Sequence, residues 1–299
     1  MFSEIQKVYE EKGINIIGEN NFDDIFNSLI QNLGSADSDI REGSLDILWE
    51  LIDSGELPTK RMIGMGSQLA DHLSTGIGEK ENDTVFLRTF SALLVGALAV
   101  QDEMQQAQGK SFLSEKDFSD WFEKSKAYVL AEQDFRSFVP GKGWAHSISH
   151  GADLMRDFAF HRFTTAKDHI EILDILSDKL IENHEEIYIN NDDNRMARVV
   201  MTIMLRDELN ISDYEQWLNG LLKRFDGKSL LDYAGEREKV VPWFNTISFL
   251  RALYFVLLNG MKVLQEGSIY ENEPVLRNKM MSLLLDMLQK MDNGLNYRR

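Results

Sequence analysis

The chain has 299 residues, 43% hydrophobic and 27% charged, and its 49 acidic against 32 basic residues leave a formal net charge of −17. That balance is globular and allows a sizeable core, while its acidity opposes binding to phosphate backbones or anionic lipid. The absence of cysteine excludes disulfides, thiol nucleophiles and cysteine-ligated zinc or iron–sulfur sites.

The first residues, MFSEIQKVYEEKG, have neither the basic start nor the apolar stretch of a secretory signal. No run reads as the roughly 18 to 20 apolar residues of a membrane span. The expected location is the cytoplasm, with neither membrane nor nucleic acid as a partner. From there the apolar spacing is helical: Ile40, Ile47, Leu48 and Leu51, then Phe86, Phe90, Leu93 and Ala97, then Met196, Val199 and Ile203, then Ile247, Leu250, Tyr254 and Leu257. No sustained alternation and no hairpin signal appears. The four prolines, Pro58, Pro140, Pro242 and Pro274, are expected where a helix begins or has just ended.

These spacings predict an all-α protein of roughly a dozen helices. The segments 39-DIREGSLDILWEL, 83-DTVFLRTFSALL, 193-DNRMARVVMTIML and 245-NTISFLRALYFVLL resemble one another. Their uneven spacing suggests an α-solenoid of degenerate HEAT- or armadillo-like helix pairs, because many short helices with short connections cannot all reach one central core. No Gly/Ser-rich linker divides the chain, so a single domain over 1–299 is expected. The closing segment 275-VLRNKMMSLLLDMLQKM reads as a capping helix, and the 13 methionines as core filler.

Chemistry concentrates at 132-EQDFRSFVPGKGWAHSISHGADLM, where His146 and His150 lie four apart and Asp153 follows three later. Glu132, Asp134, Arg136, Gly143, Trp144, Ala145, His146, His150, Gly151, Ala152 and Asp153 form the pattern Glu-x-Asp-x-Arg…Gly-Trp-Ala-His-x-x-x-His-Gly-Ala-Asp. In this pattern the chain resembles the bacterial family called domain of unknown function 2785. The segment 85-VFLRTFSALL is also similar to that family's Arg-Ser-Phe-Ser, with Thr89 in place of a serine. The resemblance spans most of the chain and implies an all-helical fold; it assigns no activity.

On a helix, His146, His150, Asp153 and Asp157 fall within roughly 60° of one another, opposite Trp144, Ile148, Leu154, Met155 and Phe158. The apolar face, with Trp144 and Phe158, is expected to be buried, and the polar stripe to face away from the main packing layer, toward a concave surface. Three readings are open. The histidines can hydrogen-bond to Asp134, Glu132 or a backbone carbonyl and pin the 134–143 loop. They can bind a divalent metal such as zinc through His146, His150 and Asp153, leaving an open position for a hydrolytic water. They can also form a metal-free ligand pocket with Arg136. Glu132 and Asp134 converge only if the helix before them has already ended, and Arg136 has Asp153 and Asp157 as candidate ion-pair partners.

Other motifs fail on chemistry. The glycines of 64-GMGSQLADHLSTGIG lack a preceding strand and dinucleotide spacing, and in GKGW at 141–144 the Gly-Lys is followed by Gly rather than Ser or Thr. Asp168–His169 has no second His-Asp pair, and Ser147 and Ser149 sit in no strand–turn–helix elbow. The reading is a cytoplasmic helical-repeat interaction or ligand-binding module that uses Glu132, Asp134, Arg136, Trp144, His146, His150 and Asp153, needs no cofactor, and has a protein or small molecule as partner. The alternative is a metal-dependent hydrolase.

Overall fold

The computed structural model describes residues 2–182, 185–226, 228, 230–233, 235–260 and 272–291. Among them are twelve α-helices: α1 Phe2–Lys12, α2 Phe22–Asn32, α3 Ser38–Asp53, α4 Thr59–His72, α5 Thr84–Gln106, α6 Glu115–Ala131, α7 Ser147–Phe160, α8 Ala166–Glu182, α9 Asp192–Arg206, α10 Ile211–Lys223, α11 Arg237–Asn259 and α12 Arg277–Met291. The expected all-helical class holds. Several ends are written locally: Asp37 accepts from the N–H of Asp39 and Ile40 to start α3, and Asn210 with Asp213 closes a capping box on α10.

The chain divides into two compact units, Met1–Phe163 and Thr164–Arg299. In the first, α3, α5 and α7 pack in succession, as do α4 and α6, with α4 also against α5 and α6 against α7. The core of this packing is α5, in which Phe86, Phe90, Leu94, Val95 and Leu98 are buried. Two glycines set close approaches: a Cβ on Gly66 of α4 would collide with the Trp121 ring of α6, and one on Gly96 of α5 would lie 2.5 Å from Asp157 Oδ2 of α7. In the second unit α8, α10 and α12 pack in succession beside α9 and α11.

Three expectations need correction. Pro242 lies inside α11, one turn after its start, where it forgoes only one intrahelical N–H bond. α5 and α11 are each long and apolar enough to cross a membrane, but most of each apolar stretch is buried within the protein, as in core helices. Finally, two short strands, β1 Phe138–Val139 and β2 Gly143–Trp144, form an antiparallel hairpin with Phe138 opposite Trp144. Strands this brief leave no alternation to read in sequence. The turn depends on glycine: Gly141 and Gly143 have φ of +77° and +82°, and a Cβ on Gly143 would crowd Ser38 and Arg41 at 3.1 and 3.2 Å.

Candidate functional site

The helix α6 stops at Ala131, and Glu132 turns to extended backbone at ψ 125°, so the condition for Glu132 and Asp134 to act together is met. Glu132 turns inward onto Arg88 of α5, whose Nε and Nη2 donate to its two carboxylate oxygens at 2.7 and 3.0 Å with both side chains buried. The remaining guanidinium nitrogen donates to the Thr75 and Gly76 carbonyls and to Thr84 Oγ1. Glu132 Oε1 also accepts from the backbone N–H of Gln133 and Asp134. The pair is bidentate, shielded from water, and fastens the residues after α6 to the start of α5.

Asp134 makes the next fastening. Its Oδ1 accepts from Arg136 Nε at 2.7 Å and its Oδ2 from Arg136 Nη2 at 2.5 Å and the Glu81 N–H at 3.0 Å, while Arg136 Nη2 also reaches the Asn82 carbonyl. These hydrogen bonds from Arg136 to Asp134 raise the guanidinium pKa above its ordinary value. Arg136 therefore does not pair with Asp153 or Asp157, which are taken by Arg156 on their own helix at 2.9 and 2.7 Å. Lys142, in the hairpin turn, holds Asp83 at 2.6 Å. The loop 79–84 is laced to 134–142 from several directions.

Beneath the hairpin, Val139 and Ala145 pack with Val85 and Phe86. Arg41 of α3, fully buried, donates to the carbonyls of Ser35, Lys142 and Trp144, and its guanidinium lies 4.1 Å from the Phe86 ring centroid and 4.9 Å from that of Phe90. Burial pulls its pKa down. Tyr128 of α6 is also buried; burial pushes its phenol well up, the Glu132 carboxylate adds to this, and its hydroxyl has no hydrogen-bond partner among the described residues.

The histidines do not lie as a continuous helical wheel places them. His146 precedes α7 in the left-handed region at φ 50° and breaks the helical phase before Ser147. Its Nδ1 is 2.8 Å from Ser137 Oγ, and its backbone N–H donates to the Ser137 carbonyl. It thus ties down the loop through Ser137. Trp144, expected in the core, is 39% exposed, because it belongs to the hairpin and not to the helix. Its ring stacks on His146 at 4.2 Å with planes 2° apart, and Phe138, 51% exposed, meets it edge-on at 4.9 Å.

The polar stripe of α7 turns inward, opposite to the expectation. His150 is 7% and Asp153 2% exposed, Asp157 is buried too, and Phe158 is buried as expected. The cause is that α7 packs against both α5 and α6, leaving few of its side chains a free face. His150 lies edge-on to Phe90 at 5.4 Å, with its ring centroid 5.4 Å from that of His146. Among the described residues no group of three His, Asp or Glu side chains is placed to hold a metal ion. Arg88, Arg41, Ser137 and Phe138 are central here and were not singled out from sequence. The signal for the first was a lone arginine inside an apolar stripe, which folding tolerates only with a buried partner.

A second polar cluster lies at the other end of α5. Asp102 accepts from His161 Nε2 at 3.1 Å, from Arg162 at 2.6 Å and from the N–H groups of Phe112 and Leu113. His161 Nδ1 accepts from the Phe163 N–H, so the Nε2 proton points at Asp102. Burial alone would raise the Asp102 carboxyl; the hydrogen bonds from His161, Leu113, Phe112 and Arg162 reverse this and hold it at about 2. It anchors the loop after α5.

What these contacts define is a helical protein in which a short aromatic hairpin is fastened by buried ion pairs to the helices below it. The family model described as protein of unknown function (DUF2785) matches residues 73–255, and the chain belongs to that family. The matched span contains Arg88, the Glu-x-Asp-x-Arg loop, the hairpin and α7. No curated protein and no solved structure matches the chain.

Proposed function

We propose that this chain is an interaction or ligand-binding protein built from degenerate HEAT-like helix pairs, and that its recognition surface is the hairpin carrying Phe138, Trp144 and His146. The repeat reading is supported by the packing of alternate helices, α3 with α5 with α7 and α8 with α10 with α12. One observation carries the binding reading: two large aromatic side chains stand exposed side by side on a hairpin whose base is held by Arg88–Glu132, Asp134–Arg136 and Arg41. Exposed aromatic clusters are a hydrophobic liability in a protein that binds nothing, and aromatic anchors dominate binding energy at interfaces. Holding them rigid before binding lowers the entropic cost of association. The partner is a protein or small molecule that offers a planar or cationic group to the Trp144 face, which suits a chain of net charge −17. Action is cytoplasmic and needs no resident cofactor.

The test retains candidates from a cytosolic extract and its metabolite fraction on immobilised wild-type chain and on Phe138→Ser/Trp144→Ser, with mass spectrometry as readout. A stoichiometric species lost from a double variant of unchanged melting temperature is expected; identical retained sets would refute the reading. Elemental analysis of tag-free protein runs alongside. Stoichiometric zinc lost in His150→Ala would replace this proposal with a metal-dependent one.

A further inference from the structure

The second unit contains a groove remote in chemistry from the aromatic hairpin. It lies between α8 and α10, encloses about 340 Å³, and falls in the size range of small-ligand sites. Its floor is apolar, made by Leu173, Trp217 and Leu221, all buried, and Ile170 stands exposed at its lip. The Trp217 ring is fixed, since Nε1 donates to Ser177 Oγ at 2.7 Å and to the Leu173 carbonyl at 2.9 Å. Gly220 opens the wall: a Cβ added there would meet no atom within 4 Å.

The charges along this groove divide into committed and free. Asp213 is committed to the capping box of α10, and Arg224 to Asp178 at 2.7 Å. Asp174 and Lys223 also line the groove, and neither side chain makes a hydrogen bond or ion pair among the described residues. The Asp174 carboxyl is pushed up by burial and by the Asp178 charge, which together outweigh the opposing pull of the nearby Arg224 guanidinium. A fixed indole floor with one uncommitted carboxylate and one uncommitted ammonium above it matches a ligand that is apolar in body and carries both charges.

We propose that the α8–α10 groove is a binding site for a small zwitterion of the amino-acid type with an apolar side chain. Its ammonium is received by Asp174, its carboxylate by Lys223, and its side chain lies over Trp217 and Leu173 in the space left by Gly220.

Calorimetry on the full chain uses L-phenylalanine as the zwitterion, L-phenylalaninamide as the cation, N-acetyl-L-phenylalanine as the anion and glycine as the zwitterion without an apolar body. Phenylalanine is expected to bind at one site, with the other three at least about tenfold weaker, the loss of one charge-assisted contact or of the buried ring. Asp174→Asn and Lys223→Met each weaken phenylalanine by about tenfold or more, and Asp174→Asn leaves the acetylated compound unchanged. Gly220→Trp fills the groove and abolishes binding without lowering the melting temperature. No phenylalanine binding at about 10 mM, equal binding of the singly charged compounds, or binding that survives Gly220→Trp would each overturn the proposal. The hairpin variants leave this binding unchanged, so the two proposals stand or fall separately.

Discussion

Removing the Glu132 carboxylate tests whether the polar residues around the hairpin are a mechanical frame. In Glu132→Ala the Arg88 guanidinium stays buried and loses two charge-assisted bonds of 2.7 and 3.0 Å, while the N–H groups of Gln133 and Asp134 lose their acceptor. A buried pair broken on one side costs about 3 to 5 kcal/mol. Three acceptors remain to Arg88, namely the Thr75 and Gly76 carbonyls and Thr84 Oγ1, so the lower part of that range applies; the two N–H groups left without their acceptor add about 1 kcal/mol to the cost. The expected loss is about 4 kcal/mol. Glu132→Gln keeps one oxygen in place and should lose about 2 kcal/mol, as a neutral bond replaces a charge-assisted one. Arg88→Met combined with Glu132→Leu removes both charges together and should be less destabilising than the sum of the single changes by at least about 2 kcal/mol. Urea unfolding followed by circular dichroism gives these differences from midpoints at constant slope. A Glu132→Ala loss below about 1.5 kcal/mol, or strict additivity in the cycle, would show that the pair does not hold the loop.

Trp144→Ala should cost no more than about 1.5 kcal/mol in the same assay, because an exposed ring loses mainly its stacking on His146 and Phe138 rather than opening a core cavity; a larger loss would place Trp144 in the core. Two glycines of α4 should respond in opposite senses: Gly64→Ala, with open space around it, gains about 0.5 to 1 kcal/mol from helix propensity, and Gly66→Ala, against Trp121, loses about 2 kcal/mol or more. Equal effects of the two in thermal melts would contradict the α4–α6 packing. Asp102, held at about 2 against an ordinary value near 3.9, has a depressed carboxyl, so its contribution of about 2 kcal/mol is complete above pH ~4 and disappears as pH falls to ~2. The stability difference between wild type and Asp102→Asn, followed by urea titration across that range, should shrink with falling pH; a constant difference would mean the carboxylate is not so held.

Helical periodicity alone determined the fold class, since Ile47, Leu48 and Leu51 or Phe86 and Phe90 recur on one face and are the residues found buried. The central motif was also legible as a unit: its spacing marked the segment from Glu132 to Asp153, and the family match includes it. The place of each residue within it was not. A helical wheel carries phase only through unbroken helix, and the left-handed His146 with the two glycines of the hairpin turn resets that phase, sending Trp144 to the surface. Burial of His150, Asp153 and Asp157 was decided by packing from two sides. Sequence gives the polar character of a face and its local ion pairs with Arg156, but only a packed neighbour, here the α5 surface opened by Gly96, decides that the face is buried. The Arg88–Glu132 pair joins residues 44 apart in the chain, and such a contact is set by tertiary structure because no local spacing encodes which distant carboxylate will neutralise a buried arginine.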